Sequence, residues 1–216
     1  MCLRGNEMNG NGGDMDLAEI IIEGEWAMFQ SVSNIGGRAD CQDNRRTFEI
    51  MRRSQFRAWN REALESYALD LAVAVSEGRN LPAEKYARMM ESTDPQRFSE
   101  IKDTLPKLSE AAIQMIDRIS GIHLAWNREC AEKYPALFAN ARPVESSEDA
   151  FGITSSETYW RGELATYSER TLKRYLEYAL SAEEEGRNLC EEILDNTMRE
   201  YGFCSAAQAE AAEERK

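Results

Sequence analysis

The sequence predicts an all-α fold, a bundle of about six to seven helices. Three observations carry this reading. Apolar residues recur every three or four positions through each long segment. No stretch alternates with the period of two that a half-buried strand requires. Ser, Thr, Asp and Asn stand where helices should begin, and Gly and Pro stand where they should end.

Asp16-Leu17-Ala18-Glu19 has the form of a capping box. It opens a helix over 17–34 whose stripe is Leu17, Ile21, Met28 and Val32. Glu25 falls on that stripe, where a carboxylate must be paired or carry a raised pKa. Gly36-Gly37 ends the helix, and Asp43 or Asn44 caps the next, over 45–77. Its periodic positions are Phe48, Met51, Gln55, Trp59, Ala63, Tyr67, Leu71 and Ala74, with Gly78 as the stop. Pro82 suits the first turn of a third helix over 82–93, and Asp94-Pro95 restarts a short one. Pro106 precedes a helix over 107–133 that Tyr134-Pro135 terminates, and 139–153 reads as a loop. A second capping box, Thr154 to Glu157, opens a helix over 155–185. Trp160, Leu164, Tyr167, Thr171, Tyr175, Tyr178 and Ala182 form its stripe, with Glu163 on the edge. Gly186 stops it, and a last helix covers 189–201. The expected organisation is a leader over 1–15, one helical domain over 16–204, and an acidic tail over 205–216, frayed or helical.

The chain also repeats itself. Glu-Gly-Arg-Asn-Leu occurs at 77–81 and again at 185–189, each time between a long helix and a short one. At the same offset Leu64 matches Leu172 and Tyr67 matches Tyr175. This points to two related long-helix/short-helix hairpins packed face to face, with the long helices meeting through Trp59 and the Trp160–Tyr167 stripe. A pentapeptide, Ala-Trp-Asn-Arg-Glu, is likewise shared by Ala58–Glu62 and Ala125–Glu129.

Composition narrows the function. At 216 residues, 42% apolar and 30% charged, the chain can bury a core without staples. Its longest apolar run is far short of a membrane span, and its polar start lacks a secretory h-region, so a cytoplasmic protein is expected. Five cysteines without a C-x-x-C pair, and a single histidine, argue against a disulfide framework and a metal site. No cofactor is implied. A net charge of −13 argues against general nucleic-acid binding. Against that background seven arginines face three acids between Arg38 and Arg61, as a face bridged to nearby acids, an anion contact or a surface for a protein partner.

Glu25, Trp26, Met28, Phe29, Val32, Asn34, Gly36, Gly37, Arg38, Ala39, Cys41 and Gln42 together form a run that resembles the signature of an uncharacterised bacterial family, a domain of unknown function. Arg79-Asn80-Leu81 with Glu84–Met90 is similar to its second block, and Thr154–Ser168 to its third. The resemblance spans about 17–202 and implies no activity. It implies that the polar blocks belong to one site.

The candidate site therefore uses Glu25 and Glu163 as acid and base, with Tyr167 or Tyr159 as hydroxyl donors. Two carboxylates in one cavity should raise the pKa of at least one. Arg38, Arg52 and Arg161 would hold an anionic group, and at least one of Arg38, Arg52 and Arg53 should turn inward to a carboxylate. Trp26, Asn34, Cys41, Gln42, Gln55, Trp59, Thr154, Ser155 and Glu157 complete the expected lining. Each has a plainer reading: Cys41 as an inert buried thiol, Glu157 and Arg161 as a surface pair, Glu25 as a structural carboxylate. The ligand expected is a small anion, with a protein partner or a homodimer also open. An alternative rests on Arg118 and His123, whose R-x-x-x-x-H spacing is similar to that of HEPN-type ribonucleases and nucleotidyltransferase partners.

Overall fold

The computed structural model describes residues 16–33 and 37–215. They form eleven α-helices. In chain order these are α1 (Leu17–Gln30), α2 (Arg45–Arg57), α3 (Arg61–Ser76), α4 (Leu81–Thr93), α5 (Pro95–Ile101) and α6 (Glu110–Lys133). After them come α7 (Pro135–Phe138), α8 (Ser156–Leu164), α9 (Glu169–Glu184), α10 (Leu189–Glu200) and α11 (Ala206–Glu213). A 3-10 turn, Asp40–Asp43, precedes α2. Among the described residues there is no strand, only an isolated bridge between Ala150 and Ile153.

The helix starts follow directly from residue chemistry. Asp16, Asn44, Asn60, Asn80, Asp94, Ser109, Ser155, Ser168, Asn188 and Ser205 each accept a backbone N–H of the first turn. Each such cap stabilises its helix by about 1 kcal/mol. Two of them explain why more helices form than the stripes suggest. The expected 45–77 helix breaks at Asn60 into α2 and α3, and 155–185 breaks at Ser168 into α8 and α9. The apolar periodicity runs through both joints because Trp59 and Tyr167, at the joints, still point inward and are buried. The stripe therefore hides the break, while the side-chain caps at Asn60 and Ser168 mark it.

The repeat is structural as well as textual. Gly78 and Gly186 adopt φ of 68° and 70°, the left-handed conformation glycine takes without a Cβ clash. Arg79 N donates to Ala74 O and Arg187 N to Ala182 O, both at 2.8 Å. Arg79 then forks onto Glu84, and Arg187 onto Glu192. Asn80 Nδ2 reaches Met28 O on α1, and Asn188 Nδ2 reaches Trp126 O on α6. These bonds pair α1 with α6, α3 with α9 and α4 with α10. The helix packing agrees: α1 lies on α2, α3 and α4, as α6 lies on α8, α9 and α10. Across the middle, α3 packs on α9 while α2 packs on α10 and α8 on α4. Each half thus lends its second helix to the other.

The main core lies at this junction and includes Ile21, Phe56, Trp59, Leu71, Ile119, Leu164, Leu172 and Tyr175. A second cluster, with Ile122, Trp126, Cys130, Ala182 and Leu189, holds α6 to α9 and α10. Full burial of such side chains stabilises the fold by roughly 1.5–3 kcal/mol each. The expected meeting of Trp59 with the other stripe occurs through Tyr167 and Tyr175, at ring distances of 5.9 and 4.6 Å. Trp160 packs against His123 instead, with the rings tilted at 45°. Residues 206–213 of the tail are helical and docked: the buried Glu210 carboxylate accepts the N–H groups of Ala136 and Leu137. Cys41, Cys130 and Cys190 are free thiols.

Candidate functional site

Arg52, on the inward face of α2, is the centre of a buried charge cluster. Its Nε and Nη2 donate to the two oxygens of Glu25 at 2.6 Å each, a forked pair. Its Nη1 donates to Glu163 Oε1 at 2.9 Å and to Gln55 Oε1 at 2.7 Å. Around them, Tyr67 donates to Glu25 at 2.6 Å, Tyr167 to Glu163 at 2.9 Å, and Gln55 Nε2 to Glu163 at 2.8 Å. Lys85 Nζ, from α4, donates to Glu163 Oε2 at 2.6 Å. Two carboxylates are thus matched by two cations, and Glu25, Arg52, Lys85 and Glu163 are all less than a tenth exposed. Balance is required here, since an unpaired buried charge costs several kcal/mol.

The electrostatics correct one expectation. Burial pushes the Glu163 carboxyl upward, but the charges of Arg52 and Lys85 and the bonds from Lys85 and Gln55 outweigh it. Glu163 is held well below the ordinary carboxylate range. Arg52 lies between Glu25 and Glu163 and bonds to both, so at Glu163 its attraction outweighs the like-charge repulsion expected there. Burial lowers the Arg52 pKa, yet Glu163 and Glu25 more than offset this and hold the guanidinium charged. Burial, with Glu25 and Glu163 respectively, pushes the Tyr67 and Tyr167 phenols up, so both remain neutral donors.

This cluster forms the floor of a cavity of about 340 Å³ between α1, α2, α4 and α8. Phe29, Phe48, Met51, Leu81, Pro82 and Tyr86 form its walls, and Asp40, Cys41, Arg142 and Tyr159 also line it. Lys85 Nζ lies 3.4 Å from the centroid of the Tyr159 ring, and the Arg142 guanidinium carbon lies 5.1 Å from it. Lys85, Tyr86 and Arg142 were missed in the sequence. The first two lie in the second block of the family resemblance, but Arg142 lies in a loop with no periodicity to mark it.

Of the expected site residues, Glu25, Arg52, Glu163, Tyr159 and Cys41 line the cavity, and Gln55 and Tyr167 brace its floor. Cys41 is exposed rather than buried. Trp59 is core, packed against Tyr67, Tyr167 and Tyr175. Trp26 packs on Phe29 and Phe48 behind the wall. Gln42 is a structural residue: its amide ties the turn to Phe29 O, Val32 O and Ala39 N. Arg38 pairs with Asp43 at the surface, so Arg52 makes the inward turn and Arg53 reaches only the half-exposed Glu19. Thr154 accepts from Arg142 through its carbonyl, and Ser155 caps α8. Glu157 and Arg161 do not pair with each other. Glu157 accepts from Ser146 N and Arg161 bonds to Asp117, and both line a second cavity on the far side of α8. Asn34 and the leader over 1–15 lie outside the described residues.

Arg118 and His123 do not form a joint site. Arg118 bonds to Glu183 at the surface, while His123 is 1% exposed. Its Nε2 lies 2.9 Å from the Tyr175 hydroxyl and its ring 4.4 Å from that of Trp160. Five residues along a helix put the two side chains on different faces, one wet and one dry.

Fold and site together define an all-helical protein of two related halves, with a buried ion cluster beneath a cavity lined by both of them. The chain belongs to the family described as "Protein of unknown function (DUF4125)", whose model matches residues 15–211. No curated protein and no solved structure matches the chain. Among the described residues no helix is long and apolar enough to cross a membrane, and no group of three or more His, Cys, Asp or Glu is arranged to hold a metal ion.

Proposed function

We propose that this protein binds a small anionic molecule in the cavity above the Arg52 cluster. One observation carries the reading: the corresponding place in the second half is built without charge. The repeat matches Tyr67 to Tyr175, and each hydroxyl meets one residue of the paired helices α1 and α6, Glu25 in the first half and His123 in the second. At the same offset Arg52 corresponds to Trp160, Lys85 to Ile193 and Glu163 to Gln55. His123 is neutral, its pKa pushed down to about 3 by burial. The matched positions of the second half thus carry His123, Trp160 and Ile193, and the counterpart of Glu163 is the neutral Gln55, itself hydrogen-bonded into the cluster. Buried ion pairs are costly and are often replaced by apolar groups without loss of stability. Packing alone gives no reason for this site to keep four charged side chains, three from the first half and Glu163 from the second, and contact with a ligand does. A volume of about 340 Å³ is that of a small-molecule site.

The test uses a charge-balanced change, Lys85→Met with Glu163→Gln. It removes one cation and one anion together, so the fold should survive. Native mass spectrometry of the purified wild-type protein should reveal a bound small anion, absent from the double variant. A folded double variant that still carries it would overturn the reading.

A further inference from the structure

Resting on that reading, we infer that the ligand is an aromatic or heteroaromatic acid: a flat ring held by the cavity wall and an oxyanion group held by Arg142, Tyr86 and Tyr159. The wall is preformed for a ring. Phe29 and Phe48 are stacked at 5.5 Å with 13° between their planes, and Tyr86 lies 6.2 Å from Phe29. Flat aromatic faces gain most from an unsaturated ring placed edge-on or offset against them.

The anion site follows from charge counting. On the cavity floor two carboxylates and two cations pair with one another, so the floor can orient a ligand by contact but adds no net charge to hold its oxyanion. Arg142 is different. It donates to Thr154 O at 3.3 Å and stacks on Tyr159, and among the described residues no carboxylate pairs with it. Tyr86 and Tyr159 line the same cavity, and neither hydroxyl has a hydrogen-bond partner among the described residues. Burial, reinforced by Tyr159, pushes the Tyr86 phenol up, so it stays a donor. An arginine and two phenols make a donor set for carboxylate or phosphate oxygens. Asp40, the cavity-lining acid outside the floor cluster, is exposed, where water screens it.

The experiment is calorimetric titration of the full chain with benzoate, indole-3-acetate and phenyl phosphate, against cyclohexanecarboxylate, benzamide and inorganic phosphate. At least one aromatic acid should bind about tenfold more tightly than the saturated acid, the neutral amide and phosphate alone. Arg142→Gln should weaken it by about tenfold, with Arg142→Lys recovering part. Arg142 is at the surface, so both variants should fold. Equal affinity for cyclohexanecarboxylate, or no effect of Arg142→Gln, would overturn the ring or the anion assignment while leaving the cavity as a ligand site. If no compound of the panel binds and the purified protein carries no small molecule, both this inference and the reading beneath it fail. A preference for phenyl phosphate over both carboxylates would identify the oxyanion as phosphate.

Discussion

Gln55 and Glu163 are hydrogen-bonded to each other at 2.8 Å, and they are the same position in the two halves of the chain, 108 residues apart. An amide in one half meets a carboxylate in the other across the junction of α2 and α8. The carboxylate belongs to the second half, and the two cations that donate to it, Arg52 and Lys85, come from the first.

Removing Arg52 should be the most damaging single change in the cluster. Arg52→Gln leaves Glu25 and Glu163 buried with Lys85 as the remaining cation. A loss of about 3–5 kcal/mol is expected, read by urea denaturation followed by circular dichroism.

Lys85 and Glu163 should be coupled. Each single change, Lys85→Met or Glu163→Gln, strands an opposite charge, whereas the double change strands none. The double variant should therefore be more stable than the sum of the single losses by about 1–3 kcal/mol in a double-mutant cycle. Additive losses would show that the pair at 2.6 Å does not act as one unit.

The matched tyrosines give an internal comparison. Tyr67→Phe deletes a hydrogen bond to a carboxylate, and Tyr175→Phe deletes one between neutral groups. Bonds to charged acceptors contribute about 1.5–3 kcal/mol and neutral ones about 0.5–1.5, so Tyr67→Phe should destabilise more. Equal losses by thermal denaturation would show that the two hydrogen bonds do not differ in strength.

His123 should make stability depend on pH. Its folded pKa of about 3 lies below the ordinary value of 6.5, so the unfolded chain takes up the proton first. Stability should then fall as pH drops below about 6.5, approaching 1.4 kcal/mol per pH unit. Glu163 adds a loss of the same sign, but only below its ordinary value of 4.5. His123 is the one histidine in the chain. His123→Gln should therefore flatten the profile between pH 6.5 and 5, as measured by denaturation at each pH.

The turn after each long segment should matter equally in both halves. Asn80→Ala and Asn188→Ala each remove a helix cap and a bond to the carbonyl of Met28 or Trp126. Each should cost about 1–2 kcal/mol. Hydrogen exchange should show fraying confined to the start of α4 or α10 respectively.

The amino-acid sequence by itself determined the helical class, most helix starts, the repeated Gly-Arg-Asn-Leu turn and the inward placement of Glu25 and Glu163. These are short-range matters. Caps act within three residues, and a stripe follows from a period of 3.6. Tertiary structure alone decided the rest. Ala-Trp-Asn-Arg-Glu shows the boundary: at 58–62 it forms the joint between α2 and α3, and at 125–129 it lies inside α6. The pairing of Glu25 with Arg52, the approach of Lys85 to Glu163 and the arrival of Arg142 from a loop each depend on helices brought together across the chain. Ion pairing and cavity shape are set by distance in space, and residues 27, 78 or more positions apart carry no local signal of it.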